Sequence, residues 1–387
     1  DDVGVRPSAI GLVLAAGAAV NFLIVVYGGR LADRLGRKGI YGSTFLAMGA
    51  AMATTRLVPH IAFLTVIKTL QQASCALSRS LRGVMVYESV AVERFTRTFG
   101  QLVGLENCCH TLGFACVGFV GLGAGATLSY EGLFLIGTAA LVVAATAFFL
   151  LFRERPAAAP RLAVRLTLRD LVTFDLHHKL YLIIAAGFII GVGFGISHGL
   201  WMLYFRRHLA GPWAGELAGF DAWLRGAWPA LATAWTGGER GAQFALISLV
   251  AVAHRLMMGV PMLVLAPLLR SRVKGLYVGA MAVQGVAIAA PGVADWLTGS
   301  FVLVTATWVI HDTVGAAIWV PIQEGFIQKF SRPERRAADV AKAQALMALG
   351  FVAGVALAGP VMAADPALPF VVGGGLISLA SLILLPL

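Results

Sequence analysis

Four basic residues interrupt long apolar segments of the chain, where a positive charge is costly. They are Lys68, Arg79, Arg82 and Arg255. An ionisable side chain inside a membrane span costs ~2.5–3.5 kcal/mol on insertion scales, and it usually faces a cavity or a partner. Arg79 and Arg82 are three residues apart and share a helical face. Together these residues predict a cationic set that attracts an anionic substrate.

Two acidic residues lie in similar surroundings, each close to a histidine. Glu106 and His110 are four residues apart on one helical face, and His311 directly precedes Asp312. Either carboxylate could carry a proton for coupling, because burial favours its protonated form. Structural ion pairing is the competing interpretation. Glu106 and His110 offer too few ligands for a metal site, so we predict neither a metal nor another cofactor.

The composition shows what must position these residues. Hydrophobic residues make up 59% of the 387, and charged residues only 13%. Soluble domains carry about 25% charged residues. Apolar segments of 18 or more residues recur along the chain, and each can cross a hydrocarbon core of ~30 Å. Because these segments are long and apolar on all sides, we predict an all-α polytopic membrane protein rather than a barrel.

Eleven membrane spans are predicted. They are Ser8–Tyr27, Ile40–Leu57, Ile61–Tyr87, Phe99–Leu122, Gly132–Phe152, Leu180–Tyr204, Ala242–Leu269, Leu276–Val293, Gly299–Val320, Ala343–Met362 and Leu368–Leu387.

The net charge of +11 reflects topology rather than nucleic-acid binding. If every span crosses, 20 of the 30 Lys and Arg residues lie in loops on one side and six on the other. Cytoplasmic loops carry the excess of basic residues. We therefore expect Asp1 outside and the C-terminus in the cytoplasm of an integral protein of a bacterial plasma membrane.

Two segments break the regular pattern. Residues 153–179 are polar and contain Pro and Ala, and we interpret them as a cytoplasmic linker between bundles at 1–152 and 180–387. Residues 210–241, on the other side, carry one Phe and four Trp among Gly, Pro and charged residues. This insertion fits either a helix at the membrane interface or an ordered loop, and a partner protein could bind there.

The loop between the first two spans has the sequence GGRLADRLGRK, from Gly28 to Lys38. Its first two glycines permit close helix approach or a left-handed helix end. Asp33 can cap a neighbouring helix or pair with Arg34 or Arg37. For Arg37 and Lys38 we favour a role in topology alone.

This loop resembles the signature G-x-L-x-D-R-x-G-R-K of the major facilitator superfamily (MFS). The matching residues are Gly29, Leu31, Asp33, Arg34, Gly36, Arg37 and Lys38. Lys68 to Gln71, Glu93-Arg94 and the loop LLRSRVK at Leu268–Lys274 resemble further family elements in part. The resemblance covers nearly the whole chain, and it makes the first span here the family's second helix. We therefore expect the family's first helix to precede Asp1.

The resemblance implies a 6+6 two-bundle fold and several roles for single residues. Asp33 would latch the bundles together on the cytoplasmic side. Asp312 would lie on the tenth helix, which lines the cavity, and Lys68 would face that cavity. Because the fifth and eighth helices meet in this fold, Glu106 and Arg255 could form an ion pair between the bundles.

These observations predict a secondary active transporter for a small anionic or zwitterionic solute, working by alternating access and coupled to protons. The alternative is a protein of this fold that does not transport and instead serves as an assembly factor or scaffold. The sequence contains no nucleotide-binding loop, zinc pattern or nucleophile–histidine arrangement, so we predict that it is not an enzyme.

Overall fold

A computed structural model describes residues 7–55, 61–123, 130–154, 175–227, 238–269, 274–313 and 315–387. Within these ranges every regular element is helical. The N-terminal half contains α1 (Pro7–Leu35), α2 (Arg37–Thr54), α3 (Ile61–Ser89), α4 (Val92–Gly123) and α5 (Tyr130–Leu151). The C-terminal half contains α6 (His178–His198), α7 (Trp201–Leu209), α8 (Ala214–Ala227), α9 (Gly238–Leu265), α10 (Lys274–Thr298), α11 (Phe301–Ile310), α12 (Gly315–Phe330), α13 (Arg336–Ala364) and α14 (Leu368–Ile383).

Several helices are long and apolar enough to cross a membrane. Among the described residues, six stretches meet this criterion: Phe134–Leu151, His178–Leu209, Gly241–Leu268, Lys274–Thr298, Phe301–Phe330 and Pro333–Ala364. Leu368–Ile383 is a shorter apolar helix. The predicted helical membrane fold is thus confirmed, whereas the count of eleven spans stays a prediction.

Two predicted spans are each broken into two helices. The predicted span Leu180–Tyr204 is interrupted after His198, and α7 begins at Trp201. The predicted span Gly299–Val320 is interrupted by a turn after Ile310. There the His311 ring bonds the backbone carbonyl of Trp308, so a side chain competes with the helical backbone. Hydrophobicity alone does not reveal such breaks.

The predicted loop at Gly28–Lys38 is mostly helical. Helix α1 continues to Leu35, and the chain turns at Gly36, whose φ of 105° is a conformation that favours glycine. The backbone amides of Arg37 and Lys38 then donate to the carboxylate of Glu154, at 3.0 and 3.2 Å. An acidic side chain at this position suits the N-terminus of α2.

The two halves meet along two principal helix pairs, α1 with α13 and α4 with α9. Small residues allow both close approaches: a Cβ atom at Gly29 would overlap α13, and one at Gly104 would lie 2.9 Å from the Gly259 carbonyl. Most of the predicted linker, residues 155–174, lies outside the described residues. The division into domains therefore stays a prediction.

The predicted insertion at 210–241 contains helix α8 and is partly packed onto the C-terminal half. Trp213 is 1% exposed, and its Nε1 donates to the carbonyl of Gly299 at 2.8 Å. Its ring packs against Phe205 and Phe301. Trp223, in contrast, is 59% exposed. Trp228 and Trp235 lie outside the described residues.

Candidate functional site

A polar contact between α1 and α13 closes one end of the molecule. The Asp33 carboxylate accepts hydrogen bonds from the backbone amides of Ala337 at 3.2 Å and Ala338 at 2.8 Å. The residue at the N-cap of α13, Arg335, makes no side-chain cap of its own. Asp33 therefore caps the positive N-terminus of α13 from the other half of the protein.

Arg37 and Glu88 extend this contact. One guanidinium nitrogen of Arg37 lies 3.1 Å from Asp33 and 3.0 Å from Glu88. Arg336, at the start of α13, lies 3.7 Å from Glu88 and stacks over the ring of Tyr87. Arg37 is only 4% exposed. The expectation that Arg37 serves topology alone is therefore wrong, because buried ion pairs engage it.

The other residues of the signature motif differ in their surroundings. Gly29 lies against Ala337 and Ala341 of α13, where a larger residue would separate the halves. Arg34 is exposed, and the structure gives it no hydrogen-bond or ion-pair partner among the described residues. The motif thus combines a close-packed glycine, a capping carboxylate and a turn glycine.

A cavity of about 770 Å³ lies between the two halves. The polar residues that line it are Asn21, Gln72 and Arg79 from the N-terminal half, and His198, His254, Arg255, Gln323 and Gln344 from the C-terminal half. Aromatic lining residues include Phe114, Phe194, Trp201, Trp308 and Trp319. None of its lining residues among the described ones is acidic. The cavity therefore presents positive charge from both halves without a compensating carboxylate in its wall.

The two arginines of the cavity are held differently. Arg255 donates from Nη1 to the side-chain oxygen of Asn107 on α4, at 3.0 Å. Arg79 is exposed and has no hydrogen-bond or ion-pair partner within the described ranges. Arg79 is therefore unpaired among the described residues, whereas Arg255 on α9 is held by its hydrogen bond to Asn107 on α4.

Of the predicted substrate and coupling residues, only Arg79 and Arg255 are among the described residues that line the cavity. Glu106 forms an ion pair with Arg82, whose guanidinium also lies 5.6 Å from the ring centre of Phe99. The predicted ion pair between Glu106 and Arg255 is therefore wrong. The position of a residue on its own helix could not reveal which neighbouring helix the side chain reaches.

Lys68 and His110 are also absent from the residues that line the cavity. Lys68 is exposed and donates to Gln71 at 3.1 Å. Lys68 precedes the lining residue Gln72 by one helical turn, on the same face of α3, but is not itself among the lining residues, so its role stays a prediction. His110 is exposed on α4 and is likewise absent from the cavity wall.

Asp312 belongs to a buried histidine network next to the cavity. His311 Nε2 lies 3.0 Å from His198 Nε2 and 3.5 Å from Asp312 Oδ1. His254 Nε2 lies 3.3 Å from Asp312 Oδ2, and Gln284 donates to Oδ1. Asp312 and His311 are 5% and 1% exposed. His198 and His254 therefore form the cavity-facing side of the network, with the carboxylate behind them.

Hydrogen bonds determine where the ring hydrogens of two histidines lie. Ser197 Oγ donates to the Gly193 carbonyl at 2.9 Å, so it accepts from His198 Nδ1 at 2.8 Å. His311 Nδ1 donates to the carbonyl of Trp308. In neutral rings both Nε2 atoms would then direct lone pairs at each other. One added proton converts this repulsion into an N–H···N hydrogen bond, balanced by the charge of Asp312.

The ligand atoms of His198, His311 and Asp312 lie within 4.8 Å of one another, a spacing that a small cation requires. The predicted lack of a metal site therefore stays a prediction. The sequence pattern alone does not identify His198 as part of a site. The signal that could have identified it is its position at a helix break, directly before Gly199.

A helical membrane protein whose two halves enclose a cavity with charged groups in its wall, sealed at one end, has the architecture of a secondary transporter. The family model of the Major Facilitator Superfamily matches residues 1–214. The chain belongs to this superfamily. It is therefore a membrane transport protein and not an enzyme, which confirms both predictions.

Solved structures show the same fold over nearly the whole chain. The human organic anion transporter MFSD10 (TETRAN) aligns with a TM-score of 0.62 at 18% identity, covering 97% of this chain and 83% of that one. The proton:xylose symporter XylE, bound to 6-bromo-6-deoxy-D-glucose, aligns with a TM-score of 0.64 at 13% identity, covering 98% and 87%. No curated protein sequence matches the chain.

Proposed function

We propose that this protein transports a small organic anion by alternating access, coupled to proton movement. The observation that carries the proposal is the pair Arg79 and Arg255, which face one cavity from opposite halves with no acidic residue in its described wall. An anion bound between them would contact both guanidinium groups and link the halves. A zwitterion is less favoured, because its ammonium group would meet no carboxylate there.

Arg79 is the better candidate for the primary contact. Among the described residues it has no partner to exchange for the substrate, whereas Arg255 would share its guanidinium between Asn107 and the anion. The aromatic wall around them suits an apolar body attached to the anionic group. The two structural neighbours, an organic anion transporter and a proton symporter, show that the fold accommodates both properties.

The contact of Asp33 with α13 supplies the gate of this cycle. It joins the halves at one end through two backbone hydrogen bonds that break when the halves separate. If the basic loops face the cytoplasm as expected, the sealed end is the cytoplasmic one. The solute would then enter this conformation from the opposite side.

The His198–His311 pair is the proposed site of the coupled proton. Its cavity-facing member, His198, can exchange a proton with water in the cavity, and Asp312 holds the charged form in place. This refines the earlier hypothesis that Asp312 itself carries the proton. Glu106 is not proposed for coupling, because Arg82 neutralises it within its own half.

The alternative function, a scaffold without transport, would be favoured by a closed apolar cavity. The observed cavity holds two arginines, two histidines and several amides. These charged and polar groups favour transport over a scaffold role.

Uptake by proteoliposomes tests the proposal. Aromatic and aliphatic carboxylates, sulfonates and phosphates would be screened with and without a pH gradient. We expect accumulation of an anion that is driven by the gradient. Arg79→Gln should reduce uptake at least tenfold, because it removes the free cation. Arg225→Gln is the matched control, since Arg225 is paired with Asp221 on α8 and is not among the cavity-lining residues, and it should transport like the wild type.

Asp312→Asn tests the proton site separately. We expect a folded protein that binds the anion but no longer responds to the pH gradient. Unchanged gradient-driven uptake in Asp312→Asn would contradict the coupling proposal, and unchanged uptake in Arg79→Gln would contradict the anion site.

A further inference from the structure

Glu324 is a buried carboxylate that none of the contacts described above explains. It lies on α12, in the apolar stretch IWVPIQEGFIQKF, and is 6% exposed. Its Oε1 accepts from Gln328 Nε2 at 2.7 Å, and its Oε2 accepts from Gln344 Nε2 at 2.9 Å. The sequence did not predict Glu324 as a buried charge, because the predicted span ends at Val320.

No cation within the described ranges pairs with this carboxylate. The charged group that faces it from the packed elements is Arg82 of α3, and Arg82 is bonded to Glu106. The helices α13 and α4 present Gln344 and Thr96 on this side, both uncharged. An ionised carboxylate buried among amides, without its own counter-charge, is strongly unfavourable.

The side-chain amide of Gln328 indicates how the buried carboxyl of Glu324 is stabilised. Gln328 is fully buried, and its side-chain oxygen has no hydrogen-bond partner in the part of the chain that the structure describes. Its amide nitrogen already donates to Glu324. If Glu324 carries a proton, the carboxyl O–H can donate to that unpaired oxygen, and the two side chains form a cyclic acid–amide pair. One proton therefore removes an unpaired charge and an unsatisfied acceptor together.

The opposite half covers this group. A Cβ atom at Gly83 of α3 would overlap Glu324 Oε1, so the backbone of α3 lies directly against the carboxyl. Gly83 and Glu324 belong to different halves, and they meet near the sealed end. Separation of the halves there would expose Glu324 to water.

We propose that Glu324 is a proton-binding site within the contact between the halves, occupied when this end is sealed and vacated when it opens. The sealed conformation then binds one proton more than the open one at this position. Lower pH favours the conformation that binds the additional proton, so acidification should favour sealing. This site is separate from the His198–His311 pair and does not require that the protein transport any solute.

Infrared difference spectroscopy on the full-length protein tests the protonation directly. We expect the carbonyl stretch of a protonated carboxylic acid in the wild type at neutral pH, and its loss in Glu324→Gln. Asp221→Asn is the control, because Asp221 is paired with Arg225 on α8 and should not contribute. Absence of the band from the wild type, or its persistence in Glu324→Gln, would overturn the proposal.

A second variant keeps the proposal testable if Glu324→Gln fails to fold. Gln328→Met removes the acceptor while keeping the size of the side chain, so the band should move to higher frequency. An unshifted band would show that Gln328 does not accept the proton, and the proposed acid–amide pair would be wrong.

The conformational consequence is measured by spin-label distances across the sealed end. Labels at Leu35→Cys and Glu334→Cys lie on the two halves, at positions exposed in this structure. In the wild type the longer distances should gain population as pH rises. Glu324→Gln, which keeps the neutral form, should hold the short distance at every pH. A wild-type pH profile in Glu324→Gln would overturn the link between Glu324 and sealing, whatever the outcome of the uptake experiments.

Discussion

The two helix pairs that join the halves are built from different interactions. At the sealed end, α1 meets α13 through a carboxylate, two backbone amides and the Arg37–Glu88 ion pair. At its closest approach, α4 meets α9 through glycine backbones, with Gly104 against Gly259. Hydrogen bonds to a carboxylate break cleanly when the groups part and water replaces them, whereas close packing of smooth surfaces survives a small rotation. The first pair therefore suits a latch and the second a pivot.

The pivot should be the more sensitive of the two to added volume. Gly104→Leu places a side chain against Gly259 and the backbone of Leu263, where a Cβ atom would already lie at 2.9–3.0 Å. We expect destabilisation of about 1–3 kcal/mol and loss of transport, because overpacking forces the halves apart. Thermal unfolding in detergent and uptake would measure both effects. Gly113→Leu, where an added Cβ meets nothing within 4 Å, is the matched control on the same helix.

The latch should respond to loss of its carboxylate. Asp33→Ala removes the cap of α13 and the partner of Arg37, and a lost cap costs about 0.5–2 kcal/mol. We expect a shift towards the open conformation of roughly tenfold, since 1.4 kcal/mol corresponds to a factor of ten. Distances between labels at Leu35 and Glu334 would report this shift. An unaltered distance distribution would remove Asp33 from the latch.

Arg37→Gln should have a smaller effect in the same direction. It leaves the two amide bonds to Asp33 intact but removes the neighbour that orients the carboxylate. The same distance measurement should show an intermediate population of the open form. An effect larger than that of Asp33→Ala would indicate that Arg37, rather than the cap, holds the latch closed.

Arg34→Gln should have the smallest effect of the series. Arg34 belongs to the same signature but is exposed and unpaired among the described residues. We expect distances and stability within error of the wild type. A large change would indicate that the described conformation omits a contact that Arg34 makes elsewhere in the cycle.

The latch could be foreseen from the sequence, whereas most of the cavity chemistry could not. Asp33 lies in a contiguous motif, and its residue types already indicate capping. His198 and His311 are 113 residues apart and meet only because two helices break at those positions. At the second of these breaks the His311 ring bonds the Trp308 carbonyl, a contact to which hydropathy is insensitive.

Helical spacing also predicts only part of the side-chain contacts. It correctly placed Arg79 and Arg255 in apolar segments, and both line the cavity. It could not determine that Glu106 pairs with Arg82 rather than with Arg255, because that outcome depends on the rotation of each helix against its neighbours. Glu324 was overlooked because α12 runs ten residues past the predicted end of its span.

The burial of Trp213 has a practical consequence for following the movements of this protein. The indole is fixed to the turn at Gly299 and enclosed by aromatic rings, so helix α8 is bound firmly to the C-terminal half. The exposed face of α8, around Trp223, is then a place to attach a rigid fusion domain or a binding fragment for electron microscopy. Such an attachment would report the orientation of one half directly, with no label in the cavity or at the sealed end.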